Sequence, residues 1–336
     1  MSTVYGPVPS WRLGRSLGID LILPPKKCTF NCIYCQLGKT RIQVSKPAEI
    51  QGQLVDAERV ARDLDKVLKH LDVNTVDVVT FSGTGEPTLN FNLGEIVKTV
   101  KERIGDIPLA ILTNSSLFHK KCVRENLAIF DIVVAKLDAG NNATFHAINR
   151  PEDIMLTIGE IVGSIKKVRQ SIHGIVALEV MLLHSADNRI TNVQGKPLQD
   201  LVDAIVDVNP DQVQLEVPYR PLSESFVKIP SPKEVKQVAD ELVKHFKKSQ
   251  LQVYGFQDEH SKDVRWLFHG SLEKEVIELL ERRPCSISDV SKSLGITLSA
   301  STMLLRKLVR KGLATVEIRK GEKYHYIRSN LSDSLR

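Results

Sequence analysis

The chain has 336 residues, a hydrophobic content of 42% and a formal net charge of +6. This length suits one large domain and one small one, and the composition is that of a protein with a buried core. No apolar run approaches the roughly 20 residues that span a bilayer, and the N-terminus lacks the apolar segment of a signal peptide. We therefore expect no membrane partner and a cytoplasmic location, where clustered cysteines bind metal or catalyse rather than form disulfides.

The positive charge is unevenly distributed along the chain. From Lys262 to Arg336 there are 15 Lys and Arg against 9 Asp and Glu, so this end holds the whole surplus. The preceding residues are neutral overall, which indicates that the C-terminal end has a different role.

Short apolar segments rich in β-branched residues alternate with helical segments over most of the chain. The predicted strands are 18–23, 77–81, 109–113, 131–137, 174–183 and 212–217, and the helices among them include 56–71, 152–171, 196–208 and 232–248. Six alternations with continuously apolar strands predict a parallel sheet covered by helices. The pattern alone leaves a barrel and an open doubly wound sheet as alternatives. Residues 251–256 are a candidate edge strand.

The pattern changes near the C-terminus. Residues 271–283, 286–295 and 298–312 read as three helices, and residues 314–329 read as a hairpin. This order is typical of a winged helix-turn-helix. We therefore predict two domains, 1–260 and 266–336.

Three cysteines lie within CTFNCIYC (28–35): Cys28, Cys32 and Cys35. A structural zinc site needs four ligands, and no fourth ligand is local. A cubane iron–sulfur cluster held by three thiolates keeps one iron open, which can bind a small chelating ligand. The loop follows the first predicted strand, where cofactors of parallel sheets collect.

These residues resemble the signature of the radical SAM superfamily, which has the same cysteine spacing and an aromatic residue, here Tyr34, before the third cysteine. SGTGEPTL (82–89) is similar to the glycine-rich motif that binds the amino group of S-adenosylmethionine in that superfamily. The resemblance implies a 4Fe-4S cluster, S-adenosylmethionine and a partial barrel. The fold class is then α/β, a partial (β/α)6 TIM-like barrel with a small C-terminal winged helix-turn-helix domain.

Further cofactor-binding candidates lie at the ends of the predicted strands. Gly83 and Gly85 permit close approach of the backbone, Glu86 supplies an anion for an ammonium group, and Pro87 stiffens the turn. The others are Tyr34, Thr113, Asn114, Ser115, Lys136, Asp138 and Glu179. For the strand-end residues Lys136, Asp138 and Glu179, a structural partner inside the barrel is the competing interpretation.

The residues flanking the cysteines, YGPVPSWRLGRSLGIDLI and CQLGKT, are similar to a family grouped with wyosine-base synthases, which modify transfer RNA. Those enzymes carry a second cysteine set, whereas only Cys122 and Cys285 remain here, so wyosine synthesis is not assigned. Substrate-facing candidates follow the fifth and sixth strands: His184, Asn188, Tyr219 and Arg220.

The C-terminal domain carries candidates for contacts to RNA or DNA phosphates. Arg306, Lys307, Arg310 and Lys311 lie on the predicted recognition helix, and Arg319, Lys320 and Lys323 lie on the wing. Winged helices also serve as dimerisation or docking modules, and lysine-rich helices are often only solvated faces.

The sequence therefore predicts an enzyme that reductively cleaves S-adenosylmethionine to a 5′-deoxyadenosyl radical and modifies an RNA base or a related metabolite. Its electron donor would be of the ferredoxin or flavodoxin type. One alternative is a DNA-binding regulator whose cluster senses redox state or iron. Another is a radical SAM enzyme for a peptide or small molecule, with the winged helix as an assembly module.

Overall fold

The computed structural model describes residues 1–10, 12–253, 272–294, 296–319 and 321–327. Its strands are β1 (Val4–Ser10), β2 (Gly14–Ile19), β3 (Lys27–Cys28), β4 (Ile42–Gln43), β5 (Val78–Phe81), β6 (Leu109–Thr113), β7 (Ile132–Lys136), β8 (Ile175–Met181), β9 (His184–Ser185), β10 (Gln212–Glu216), β11 (Val227–Lys228), β12 (Leu251–Val253), β13 (Ala314–Arg319) and β14 (Glu322–Ile327). Its α-helices are α1 (Ala57–Leu68), α2 (Leu93–Ile104), α3 (Lys121–Leu127), α4 (Asn142–Asn149), α5 (Ile158–Ser171), α6 (Gly195–Val208), α7 (Pro232–Leu242), α8 (Leu272–Arg282), α9 (Ile287–Leu294) and α10 (Leu298–Arg310).

Local chemistry sets the ends of the covering helices. α1 begins after Asp56, whose side chain accepts a hydrogen bond from the Arg59 amide. α5 begins with a capping box in which Thr157 and Glu160 bond each other's backbone amides. α2 ends at Gly105, which has a φ of 65°.

The central sheet has eight strands in the order β1-β2-β5-β6-β7-β8-β10-β12. β1 pairs antiparallel with β2, and each later strand pairs parallel with its predecessor. Each new strand is added at the same edge, whereas a doubly wound sheet reverses its order at a switch point. The order therefore confirms the barrel-type winding and excludes the doubly wound alternative.

Arg12, in the turn between β1 and β2, shows that the sheet is strongly curved. Its guanidinium pairs with Glu179 on β8 and lies 3.3 Å from Glu216 on β10. In a flat sheet β8 would stand four strand spacings from β2, about 19 Å away, beyond the reach of one side chain. The sheet therefore curls toward closure, as in a partial barrel.

The core lies between the sheet and its helices. All four residues of β5 are buried. α1 covers them with Val60 and Leu64, and α2 adds Ile96 and Val100, all buried. This packing fixes the strand ends, where the loops that carry the site begin.

Three predicted boundaries differ from the structure. The first barrel strand is 14–19 rather than 18–23, because the chain leaves the sheet at the buried Asp20 to begin the cysteine loop. β1 was not predicted, since its Gly6 and two prolines read as a turn; it is an edge strand with a bulge. The predicted helix 152–171 begins only at Ile158, as α5 after its cap Thr157, and α4 was not predicted.

The C-terminal unit, residues 272–327, contains α8, α9, α10 and the antiparallel hairpin β13–β14. Its core includes Val276, Leu280, Val290, Leu305 and Leu308. These elements match the predicted helices and hairpin, while the winged-helix assignment remains a prediction. The predicted domain boundary between 260 and 266 and the edge-strand residues 254–256 lie outside the described residues.

The C-terminal unit packs against the first hairpin of the barrel. Val8 joins its apolar core. Arg282 donates to the carbonyl of Ser2 at 2.6 Å, and its guanidinium carbon lies 4.5 Å from the centre of the Tyr5 ring. An ion pair of 3.6 Å joins Arg220 to Asp289 of α9. The unit therefore lies beside the open end of the barrel.

Candidate active site

A cavity of about 360 Å³ lies at the carboxyl ends of the barrel strands. Its wall contains all three cysteines of the loop, together with Glu86 of the glycine-rich turn. The C-terminal unit contributes Leu279, Arg282 and Arg283. Residues from the cysteine loop, the strand ends and the C-terminal unit thus surround one space.

The cysteine loop and the glycine-rich turn are bonded directly to each other. The Glu86 amide donates to the carbonyl of Lys27 at 3.1 Å. Gly85 has a φ of 151°, and a Cβ on it would lie 1.9 Å from that same carbonyl oxygen. Only glycine permits this approach, which sets Glu86 near Cys28.

Each of the three thiols has a different side-chain donor. Lys26 Nζ lies 3.0 Å from Cys35 Sγ, Asn114 Nδ2 lies 3.5 Å from Cys28 Sγ, and Asn149 Nδ2 lies 3.6 Å from Cys32 Sγ. Donors to sulfur favour the thiolate and tune the potential of an iron–sulfur centre.

The thiols fit a cluster better than a single ion. Within the described ranges, no three His, Cys, Asp or Glu side chains are placed to hold one metal ion, yet all three thiols face one cavity. In a cubane cluster each thiolate binds a different iron, so the thiols stand further apart. Burial raises the pKa of Cys28 to about 11 and that of Cys32 to about 12, so iron would displace their protons.

Glu86 is a buried carboxylate held by four donors. Its Oε1 accepts from the Thr88 amide and hydroxyl at 3.0 and 2.5 Å and from the Thr113 hydroxyl at 2.6 Å. Its Oε2 accepts from the Asn114 amide at 2.7 Å. Burial still raises the pKa of Glu86. Oε2 keeps acceptor capacity toward the cavity, which suits an ammonium group.

Glu179 belongs to a charge network on the opposite wall. It pairs with Arg12 and, at 2.5 Å, with Lys136. Burial alone would raise the pKa of Glu179, but these two cations outweigh it and lower that pKa to about 2. Glu216, 3.3 Å from Arg12, has its pKa raised by burial. Glu179 thus has the structural partners that its buried position requires.

Tyr34 and Asp138 lie side by side, but only Tyr34 lines the cavity. The Tyr34 hydroxyl donates to Asp138 Oδ2 at 2.5 Å, and Asn149 donates to the same oxygen at 2.7 Å. Asp138 Oδ1 accepts from the Met181 amide at 2.8 Å. With a fully buried side chain, Asp138 orients Tyr34 and Asn149 rather than facing a ligand.

The structure divides the remaining candidates of the barrel. The ones that line the cavity are Gly83, Gly85, Thr113, Asn114, Lys136, Tyr219 and Arg220. Four predicted residues are not in its wall: Pro87, Ser115, His184 and Asn188. Ser115 instead donates to the Lys136 carbonyl at 3.1 Å, and His184 and Asn188 lie in and after the short strand β9.

The predicted nucleic-acid candidates are partly neutralised. Lys307 and Lys311 pair with Glu273 of α8 at 2.6 and 2.5 Å. Arg319 pairs with Glu317 at 3.2 Å. Arg306 and Arg310 are exposed on α10, as is Lys323 on β14. Lys320 lies outside the described residues.

Several residues at the site were not predicted. Lys26 precedes Cys28 by two positions, so its place in the sequence could have indicated a contact with the cysteine loop. Asn149 and Arg12 gave no such signal. Asn149 lies 117 positions from its partner Cys32, and Arg12 lies 167 positions from its partner Glu179. Arg282 and Arg283 were read only as the end of an amphipathic helix.

Comparison with known proteins decides the family. The family model described as "Radical SAM superfamily" matches residues 22–192, just over half of the chain. This chain belongs to the radical SAM superfamily. The matched region contains the cysteine loop, the glycine-rich turn and the strands up to β8, so the resemblance seen in the motifs is confirmed. Membership makes the chain an enzyme of this superfamily and implies a 4Fe-4S cluster and S-adenosylmethionine.

Several known proteins are similar to this radical SAM chain. A UPF0026 protein of Synechocystis is 36% identical over 65% of this chain and 76% of its own length. A Brachyspira hyodysenteriae protein named GTPase Obg is 32% identical over 95% of this chain, which spans 44% of that protein's length. A radical SAM methyltransferase from Sphaerobacter thermophilus superposes with a TM-score of 0.48 at 15% identity, over 71% of this chain and 65% of that one.

A membrane-spanning helix is not found in the described parts of this radical SAM chain, because none of their helices is both long and apolar enough.

Proposed function

We propose that this chain binds a 4Fe-4S cluster through Cys28, Cys32 and Cys35 and uses it to cleave S-adenosylmethionine reductively. The observation that carries the proposal is the shared cavity: three thiols from one loop and the buried Glu86 from the next strand end face the same space. When bound, the cluster would pass one electron from the electron donor to S-adenosylmethionine, whose sulfonium C–S bond would break to give methionine and a 5′-deoxyadenosyl radical able to take a hydrogen atom from the substrate.

The chain's own residues would hold and orient the cofactor. Glu86 would accept the methionine ammonium group through Oε2, and Lys136 would pair with the carboxylate. Tyr34, oriented by Asp138, would pack beside the adenine. Lys26, Asn114 and Asn149 would donate to the cysteine sulfurs.

The substrate we propose is an RNA base or a related nucleotide metabolite. Its support is the similarity of the flanking residues to tRNA-modifying enzymes and the arginines in the cavity wall. Tyr219 and Arg220, which line that wall, would face the substrate.

The electron donor we propose is of the ferredoxin or flavodoxin type. Support comes from a second cavity of about 300 Å³ lined by residues of the cysteine loop, whose wall contains Lys26, Lys39 and Arg41 and one acid, Glu281. Lys26 contacts Cys35 directly, so this positive surface lies next to the proposed cluster.

The test uses the full chain, reconstituted anaerobically with iron and sulfide and supplied with dithionite and S-adenosylmethionine. We expect 5′-deoxyadenosine to form, and we expect Cys32→Ala to lose both this product and the 4Fe absorption. Cys122→Ala is the matched control, because Cys122 is exposed on α3, away from the cavity, and it should behave as the unaltered protein.

Two results would contradict the proposal. One is a Cys32→Ala protein that keeps the iron content and product yield of the unaltered chain. The other is a cluster that forms without any 5′-deoxyadenosine while the protein binds DNA tightly, which would favour the regulator.

A further inference from the structure

We propose that the C-terminal unit completes the active site by supplying Arg283, which binds a phosphate group of the substrate. This inference rests on the proposed function, since it concerns the substrate of the same cavity. It assigns the unit a place in the cavity wall that is separate from its outward-facing helix α10.

Arg283 is placed and charged for such a contact. It directly follows α8, lines the cavity and is partly buried. Its Nε and Nη2 have no hydrogen-bond partner among the described residues and are shielded from water. These two donors form one edge of the guanidinium, the edge that holds two oxygens of a phosphate side by side.

An unbonded buried donor costs free energy, so the vacant edge favours a ligand that fills it. Arg283 has no side-chain hydrogen bond to lose within the described residues. Turning toward a ligand in the cavity therefore requires only rotation about its own side-chain bonds.

Two further arginines stand in the same wall. Arg220 and Arg282 are 8% and 4% exposed, and the Nε of each also lacks a partner in the described chain. Arg220 is fixed by Gln36 at 3.1 Å and by Asp289 at 3.6 Å, and Arg282 by the Ser2 carbonyl. Fixed guanidinium groups beside a movable one make a preorganised anion site.

The charge balance of this wall is positive. The acids around the three arginines are Asp289, which pairs with Arg220 and also interacts electrostatically with Arg283, and Glu278 and Glu281, which lie on α8 and do not line the main cavity. Arg12 does not add to the surplus, because Glu179 and Glu216 neutralise it.

The wall is also close to the reacting centre. Arg220 donates to Gln36, the residue after Cys35, so the anion site borders the cysteine loop. A phosphate held there would place the attached sugar and base over the centre of the cavity. Phosphate on a free nucleotide and phosphate in RNA would both satisfy this geometry.

The experiment measures binding by calorimetry to the full chain carrying its reconstituted cluster. The probes are adenosine 5′-monophosphate and unfractionated transfer RNA. We expect Arg283→Gln to weaken the binding of at least one probe about tenfold or more, because it removes a charge-assisted contact at nearly constant size. Arg283→Lys keeps the charge but lacks the two-donor edge of the guanidinium. Its affinity for the probe should lie between those of the unaltered chain and Arg283→Gln.

The matched control is Arg62→Gln, which removes an exposed arginine of α1 and should leave the affinity unchanged. If both probes bind, a free nucleotide suffices; if only transfer RNA binds and Arg283→Gln weakens it, the phosphate belongs to RNA. The proposal is overturned if neither probe binds the unaltered chain, or if Arg283→Gln binds both probes as tightly as the unaltered chain does. It also fails if Arg310→Gln, which removes an exposed arginine of α10, weakens transfer RNA binding and Arg283→Gln does not.

The dithionite-driven formation of 5′-deoxyadenosine separates this inference from the proposed function. The unaltered chain is therefore also assayed for this cleavage with no phosphate probe present. If 5′-deoxyadenosine forms but no probe binds through Arg283, only the inference is overturned. If a probe binds through Arg283 but no 5′-deoxyadenosine forms, only the proposed function is overturned.

Discussion

The carboxyl group of Glu86 is almost fully shielded from solvent. The residue is 2% exposed, and burial raises its pKa even though four donors surround it. A carboxylate kept under such conditions gains most from a positively charged ligand, because the local dielectric is low. This explains why an acid, rather than an amide, stands beside Gly85.

We predict that Glu86→Gln weakens S-adenosylmethionine binding by about ten- to a hundredfold, because it removes the charge but keeps the shape. Calorimetry on the cluster-loaded protein measures this change. Glu95→Gln, on the exposed side of α2, is the control and should have no effect. An unchanged affinity in Glu86→Gln would remove this residue from the cofactor site.

The sulfur donors illustrate what a sequence reveals at this scale. The cysteine spacing and the glycine-rich turn drew attention to the three thiols and Glu86, which the structure places in the wall of one cavity. Asn149 could not be predicted, because it lies at the end of α4, 117 positions from Cys32, and no local pattern links it to the loop. Asp138 was taken for a ligand-facing group, yet its oxygens are filled by Tyr34, Asn149 and a backbone amide.

The hairpin of β1 and β2 is the element that closes the curled sheet. Its turn carries Arg12, which binds Glu179 and lies beside Glu216. Without Arg12, two buried carboxylates would face each other with Lys136 as the nearest cation. The hairpin thus holds the first strands against β8 and β10 through one side chain.

We predict that Arg12→Ala lowers the free energy of unfolding by about 3–5 kcal/mol, the usual cost of leaving a buried charge without its partner. Urea denaturation followed by circular dichroism measures it. Arg103→Ala, which breaks an exposed pair with Asp65, should cost less than about 1 kcal/mol. Equal small losses in both variants would show that Arg12 does not hold the curvature.

The strand and helix order was predictable from the sequence because the barrel strands are continuously apolar and the helices are amphipathic. Five of the six predicted barrel strands match within a residue or two, and the first is displaced. The edge strand β1 escaped prediction because its prolines and Gly6 obscure the period-two pattern. The curvature of the sheet was not predictable from a local pattern either, since it depends on the contact that Arg12 makes between distant segments.

At the scale of the whole molecule, the C-terminal unit is held by a few polar contacts around an apolar patch. Asp289 is central to them: it pairs with Arg220 and forms a capping box with Ser286 at the start of α9. Burial alone would raise the pKa of Asp289, but Arg220 and then Arg283 outweigh it and hold that pKa below the usual value of an aspartate.

A carboxylate with a lowered pKa stabilises the fold above its ordinary value and loses that effect as the pH falls through the lowered one. We predict that Asp289→Asn weakens the docking of the C-terminal unit by about 3 kcal/mol at neutral pH, and that this deficit shrinks as the pH falls through the lowered pKa of Asp289. Amide hydrogen exchange in α9 and α10 measures this change.

The control for this variant is Glu160→Gln, which alters the exposed capping box of α5 and leaves the unit boundary intact. It should raise exchange only at the start of α5. If Asp289→Asn likewise changed only the first turn of α9, the ion pair to Arg220 would not hold the two parts together.

The ring of Tyr5 lies between Gly18 and the guanidinium of Arg282, and its hydroxyl bonds Ser82 at the entry to the glycine-rich turn. A methyl group on Gly18 would sit 2.1 Å from Cζ of that ring. One added carbon in the middle of β2 would thus displace the Tyr5 ring and disturb both of its contacts, the one to the glycine-rich turn and the one to the C-terminal unit. A residue larger than glycine at position 18 therefore fits only if position 5 carries a side chain smaller than tyrosine.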